Sequence, residues 1–106
     1  MSGGVLDEAW PNVGQRDDVR AEVRAFALAM EAKLRANDHK RHWRNFSAMW
    51  LMHRLEQEVG ELRRALMECR SEDVEGEAAD VANFAMMIAD LFKKYALVER
   101  RTRGRR

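Results

Sequence analysis

A chain of 106 residues, 46 % apolar and 35 % charged, is one small domain with enough apolar material for a core, which excludes a disordered chain. A formal net charge of +1 singles out no partner. The lone cysteine, Cys69, excludes an internal disulfide and fits a reduced cytoplasm, and no Cys/His group has zinc spacing. β-branched residues are sparse while Ala, Leu, Met, Glu and Arg abound, so the predicted fold class is all-α.

Residues 1–16 carry Gly3, Gly4, Pro11 and Gly14 and read as a flexible arm, with Trp10 available to pin it to the body. They show no charged start followed by an apolar stretch, so no signal peptide is expected. The predicted domain spans 17–99. Its first helix starts at a cap on Asp17 or Asp18 and follows the stripe Val19, Val23, Phe26, Met30 and Leu34 to about Asn37-Asp38. A polar link follows, with two histidines, three basic residues and Trp43 between Asp38 and Asn45.

Ser47 caps the second helix, and Phe46 and Leu51 sit where a hydrophobic staple requires them. Trp50 is expected in the core, and the stripe Met52, Leu55, Val59, Leu62 and Leu66 carries the helix to about Cys69. Ser71 is the expected cap of the third helix. Glu72, Asp73 and Glu75 in its first turn complement the helix dipole. This helix runs to about Glu99 and is apolar around most of its circumference at Val81, Phe84, Met86, Met87, Ile88 and Leu91. Such a helix must be buried on nearly all sides, which three helices of one chain do not achieve, so the bundle is expected to be completed by a second copy. The run at 81–88 is too short to span a bilayer, and no membrane partner is expected. Residues 100–106, with five arginines, read as a basic tail that stays solvated; phosphate or nucleic-acid contact is its other use, and nucleic acid is not the expected partner of the domain.

The chemistry lies in two acidic pairs of spacing three, Glu58 with Glu61 and Glu77 with Asp80. The short link near Cys69 folds the two helices into an antiparallel hairpin that sets Glu61 and Asp80 at one height, with Glu58 and Glu77 flanking them. If both pairs face the groove, four carboxylates converge, and burying them unpaired costs several kcal/mol each, on the order of a lost hydrogen bond or more. A hard divalent cation removes that conflict, and Mg²⁺, with Mn²⁺ as a substitute, takes carboxylate and phosphate oxygens together. The plainer account is a solvated helix face, which Gln57, Arg63 and Arg64 beside the first pair suit. Asp80 resists that account, because its neighbours Ala78, Ala79, Val81 and Ala82 are small and apolar.

Glu58-Val59-Gly60-Glu61 and, after a short loop, Glu77-Ala78-Ala79-Asp80-Val81-Ala82-Asn83-Phe84 resemble the ExxE and ExxD helices of the MazG-like all-α NTP pyrophosphohydrolases, over roughly residues 38–91. The resemblance implies Mg²⁺-dependent hydrolysis between the α- and β-phosphates of an NTP or dNTP, for nucleotide-pool control or house-cleaning, by a homodimer or homotetramer. It implies Glu58, Glu61, Glu77 and Asp80 as metal ligands, with Glu58 or Glu61 doubling as the base. The family often has two adjacent acids where this chain has Gln57 and Glu58, which leaves Glu58 as the ligand. Asn83 matches the family's polar contact to sugar or base; an inter-helix hydrogen bond is its other reading. Lys40, Arg41 and His42 suit a triphosphate or a solvated link, and Trp43 suits a stacked base or a core plug. A non-catalytic helical oligomer, acting as adaptor or nucleotide-binding regulator, is the alternative function.

Overall fold

The computed structural model describes residues 18–104, and side chains through residue 93. The arm expected at 1–16, with Trp10, and Asp17 lie outside the described residues, as do the side chains of the expected basic tail. Three α-helices and one 3₁₀ turn form the described chain: α1 (Ala21–Ala36), the turn Trp43–Asn45, α2 (Ala48–Met67) and α3 (Ser71–Gly104). The all-α expectation holds. No helix among the described residues is long and apolar enough to cross a membrane.

Helix α1 begins later than expected, with Arg20 rather than Asp17 or Asp18 at the cap position, and no side chain caps it. Its last turn carries Lys33 and Arg35, the sign that complements a helix C-terminus. Ser47 does cap α2, its hydroxyl accepting from the backbone N–H of Trp50 at 3.1 Å. Before it, Phe46 lies on Trp50 with centroids 4.2 Å apart and planes 14° from parallel. Trp50 is accordingly not the core residue predicted. It is 42 % exposed, with one face taken by Phe46.

The α2–α3 hairpin closes in a Schellman arrangement. The N–H of Arg70 reaches the carbonyl of Ala65 at 2.9 Å, and that of Cys69 reaches Leu66 at 3.2 Å. This geometry needs a left-handed residue between them, and Cys69 supplies it at φ 55°. Glycine takes that conformation without the Cβ clash. Replacing Cys69 by Gly should therefore stabilise the fold by about 1 kcal/mol, read from the urea midpoint at unchanged m. Ser71 is not the cap of α3 but its first residue, because this tight closure lets helical structure resume at once. Arg70 clasps the turn, bonding Glu68 at 2.8 Å and Asp73 at 2.6 Å.

Helix α3 is the shared element, with α2 packed along it and α1 laid across it. Close approach of α2 and α3 comes from small residues, Ala65 and Ala79, both fully buried. Leu51 is the large side chain enclosed with them, at 1 % exposure. Complete burial of α3 is not achieved within one chain: Val81, Phe84, Met86, Met87, Ile88 and Leu91 are half-buried, since only two helices flank it. Nor does α3 stop near Glu99; it runs through the start of the basic tail to Gly104.

Candidate metal centre

Two helices deliver the acids. Carboxylate oxygens of Glu58 on α2 and of Glu77 and Asp80 on α3 all lie within 4.8 Å of one another, each side chain half-buried. Spacing of three on α3 puts both of its acids beside the groove. On α2 the same spacing separates the pair. A step of three residues leaves side chains about 60° apart around the axis. Glu58 turns into the groove, with 13 % of its side chain exposed, while Glu61 sits at the rim at 44 %. There Glu61 receives both of its hydrogen bonds, at 3.1 Å, from the Arg64 guanidinium. The register differs from the expected one in this respect: Glu58, not Glu61, is the α2 acid that joins Asp80.

Cations face two of the three clustered acids. Arg54 reaches Glu58 at 3.0 Å from one turn back on α2, and its guanidinium also lies over the Phe84 ring at 5.0 Å. Lys33 reaches across from α1 to Asp80 at 3.3 Å. Its ammonium lies over Gly76, where a Cβ would stand 3.8 Å from Nζ. Glu77 forms no salt bridge among the described residues. Desolvation, then the charges of Asp80, Glu58 and Glu61, raise its carboxyl above the usual range. The centre is thus short of positive charge at Glu77. An all-oxygen donor set of this kind fits a hard divalent cation.

Beside the acids a cleft of about 500 Å³ opens between α1, the connection at 37–47, and α2 and α3. Glu58 and Asp80 form part of its wall, together with Lys33, Lys40, Arg41, His42 and Arg54. Trp43, Phe46, Trp50, Leu51, Phe84 and Met87 form an apolar part, and Asn83 lies among them. The structure therefore gathers Lys40, His42, Trp43, Asn83, Glu58 and Asp80 around one space; Glu77 adjoins it through the cluster, and Glu61 stands outside.

Asn83 makes the inter-helix hydrogen bond that is the second of its sequence readings. It is 3 % exposed and donates from Nδ2 to the carbonyl of Met30 on α1 at 3.0 Å, the inter-helix bond. Because a carbonyl only accepts, this bond fixes which end of the amide is which. Oδ1 is left buried without a hydrogen-bond partner. Trp43 is likewise both wall and anchor: its indole N–H donates to Asp90 at 3.0 Å, and Arg44 reaches the same carboxylate oxygen at 3.3 Å. The Trp43 bond, ahead of Arg44, holds the Asp90 carboxyl below its usual range. His42 packs on the Trp43 ring, centroids 4.0 Å apart, and its Nδ1 accepts from the backbone of Arg44 at 3.1 Å.

Lys33, Arg54 and Asp90 were not among the sequence candidates. Arg54 was legible as an i,i+4 partner of Glu58. Lys33 and Asp90 act across helices and have no local signature. Compared with protein-family models, with curated proteins and with solved structures, the chain matches none.

Proposed function

We propose that this chain is a Mg²⁺-dependent nucleoside triphosphate pyrophosphohydrolase of the MazG-like type, cleaving an NTP or dNTP to the monophosphate and pyrophosphate. The observation that carries this reading is the convergence of Glu58, Glu77 and Asp80 at the wall of a cleft that also presents cations and aromatic rings. Acids alone suit a salt-bridged surface. Acids beside lysine, arginine and tryptophan in one cavity suit a ligand that is anionic at one end and aromatic at the other.

Glu58, Glu77 and Asp80 would hold the ion, with Glu61 as the fourth ligand once Arg64 lets go. Mn²⁺ should replace Mg²⁺ at such oxygen ligands. When bound, the ion would neutralise phosphate charge and acidify water. Lys40, Arg41 and His42 bind the phosphates. Trp43 offers its ring to the base, and Asn83 Oδ1 accepts a hydrogen bond from the nucleoside, filling a vacancy that costs about 1–3 kcal/mol when left open. Glu58 or Glu61 takes the proton of the attacking water on a carboxylate oxygen.

The Glu61–Arg64 pair is exposed on both sides, so separating it costs little, about 0–1 kcal/mol. Replacing Arg64 by Ala should accordingly tighten Mn²⁺ binding a few-fold, on the order of what an exposed pair is worth. Titration calorimetry reads this directly, and weakened binding would assign Arg64 another role.

A second copy completes the bundle in this reading, as homodimer or homotetramer. Met49, Met52, Leu66, Met67 and Phe92 are exposed, and α3 keeps half-bare apolar residues. Surface of that kind usually marks an interface.

The deciding experiment incubates pure protein with each dNTP and NTP and Mg²⁺, and resolves the products. Monophosphate plus pyrophosphate is the expected result. Diphosphate plus phosphate, or no turnover across the panel, ends the proposal; the second outcome would favour the non-catalytic oligomer.

A further inference from the structure

We propose that Asp90 is a positioning residue of the ligand cleft: it fixes the Trp43 ring as a cleft wall and thereby sets affinity for the ligand's aromatic part. The inference rests on the nucleotide reading above and names a residue that reading does not use. Asp90 stands on α3 ten residues beyond Asp80, and it neither lines the cleft nor joins the acidic cluster.

The connection from α1 to α2 carries Lys40, Arg41, His42 and Trp43 to the cleft, yet its only regular structure is the three-residue turn Trp43–Asn45. Its internal hydrogen bonds are all local, from Lys40 to Asn37 and from Arg44, Asn45 and Phe46 to His42 and Trp43, so an external anchor is needed to hold it in one position against the helices. Asp90 supplies it. One of its oxygens, Oδ2, receives both the Trp43 indole N–H at 3.0 Å and the Arg44 Nε at 3.3 Å, across 47 and 46 residues of chain. An indole has one donor, so this bond determines the rotation of the ring within its plane. His42 covers one face of that ring, and its Nδ1 holds the backbone N–H of Arg44. Side chains 42–44 therefore move together, and Asp90 is the point on the helical frame to which they are tied. Charge on the acceptor makes the tie stronger than a neutral bond.

Steady-state kinetics on the best substrate of the nucleotide panel test this with Asp90→Ala, Asp90→Asn, Trp43→Phe and the Asp90→Ala/Trp43→Phe double variant. Asp90→Ala should raise KM about tenfold, the scale of one hydrogen bond to a charged acceptor, with kcat within about twofold. Asp90→Asn should recover most of the loss, because its Oδ1 still accepts the indole N–H. Trp43→Phe should raise KM similarly, and the double variant should be no worse than Asp90→Ala alone, since both break the Trp43–Asp90 bond and Asp90→Ala already gives up the Arg44 contact. Additive losses, or an Asp90→Ala variant with unchanged KM and only a lower Tm, would overturn the proposal. A Trp10→Phe/Trp50→Phe background leaves Trp43 as the sole indole, so Mg²⁺ plus dATP or dCTP can be followed by its quenching without turnover. Quenching that Asp90→Ala weakens would support the positioning role even where hydrolysis fails. A protein that neither turns over nor binds any nucleotide would remove both readings.

Discussion

Glu77→Gln is expected to raise the Tm of the metal-free protein while abolishing its response to Mg²⁺ and its turnover. Glu77 is the clustered acid without a salt bridge among the described residues, and desolvation and its acidic neighbours raise its carboxyl above the ordinary range. A raised carboxylate pKa means that the folded state binds more protons than the unfolded one in the window between the two values. Stability therefore falls as pH rises through that window, and the charged form remains a cost at neutral pH. The amide removes the charge with little change of shape, so the metal-free fold gains. The same charge is what a cation would be bound for. At one hundred times its Kd, Mg²⁺ adds about 2.7 kcal/mol to the wild type. The variant should lose most of that increment, and its turnover should drop by at least about a hundredfold, more than a residue supporting a ligand from behind is worth.

Asp80→Asn should lose turnover to the same extent without the gain in stability. Its carboxylate already has Lys33 at 3.3 Å, and neutralising it gives up that ion pair, which offsets the relief of its repulsion on Glu77. The Mg²⁺ response of the two variants carries the argument. A merely structural acidic patch gives the same Tm contrast in the metal-free proteins but leaves nothing for Mg²⁺ to do in the wild type or in either variant. Thermal scans with and without Mg²⁺, run beside the product assay, separate the cases.

What the sequence disclosed, and what it withheld, follows the range of each interaction. Apolar spacing placed three helices, and Ser47 placed the start of α2, because caps and stripes are written in neighbouring residues. The hairpin was legible from the short link between two stripes, and it implied that acids of α2 would meet acids of α3. The rotation of α2 about its axis was not legible, and that rotation chooses Glu58 over Glu61 for the groove. Local chemistry misled at Trp50, where a large aromatic near a helix start reads as core but stacks on Phe46 at the surface instead. Of the contacts from α1 and from its connection, only an inter-helix bond of Asn83 was a reading of the sequence, and its partner was not. Lys33 to Asp80, Asn83 to Met30 and Trp43 to Asp90 each join segments separated by about fifty residues, and only the packing of α1 and the 37–47 connection on α3 brings them into reach.

Leu51→Ala is expected to produce the largest single loss of stability among the described residues. Among the described residues Leu51 is the large side chain enclosed almost completely, while the other fully buried apolar positions are Ala65 and Ala79, which have little to delete. Truncating a buried leucine removes its transfer energy and leaves a cavity, about 2–5 kcal/mol in all. Here the new space would open toward the cleft that Leu51 lines, so water and neighbouring side chains can enter it and the cost belongs in the lower half of that range. For a domain of about this size each kcal/mol lowers Tm by about 4–8 °C. Leu51→Met keeps the volume and should cost less than about 1.5 kcal/mol, which separates lost packing from lost leucine chemistry. Urea unfolding of both variants at equal protein concentration measures the difference, since association through the exposed apolar residues of α2 would add a concentration-dependent term. A Leu51→Ala loss below about 1 kcal/mol would show that the first turns of α2 are not packed against α3 as described, and the cleft wall that Leu51 shares with Asn83 and Phe84 would go with them.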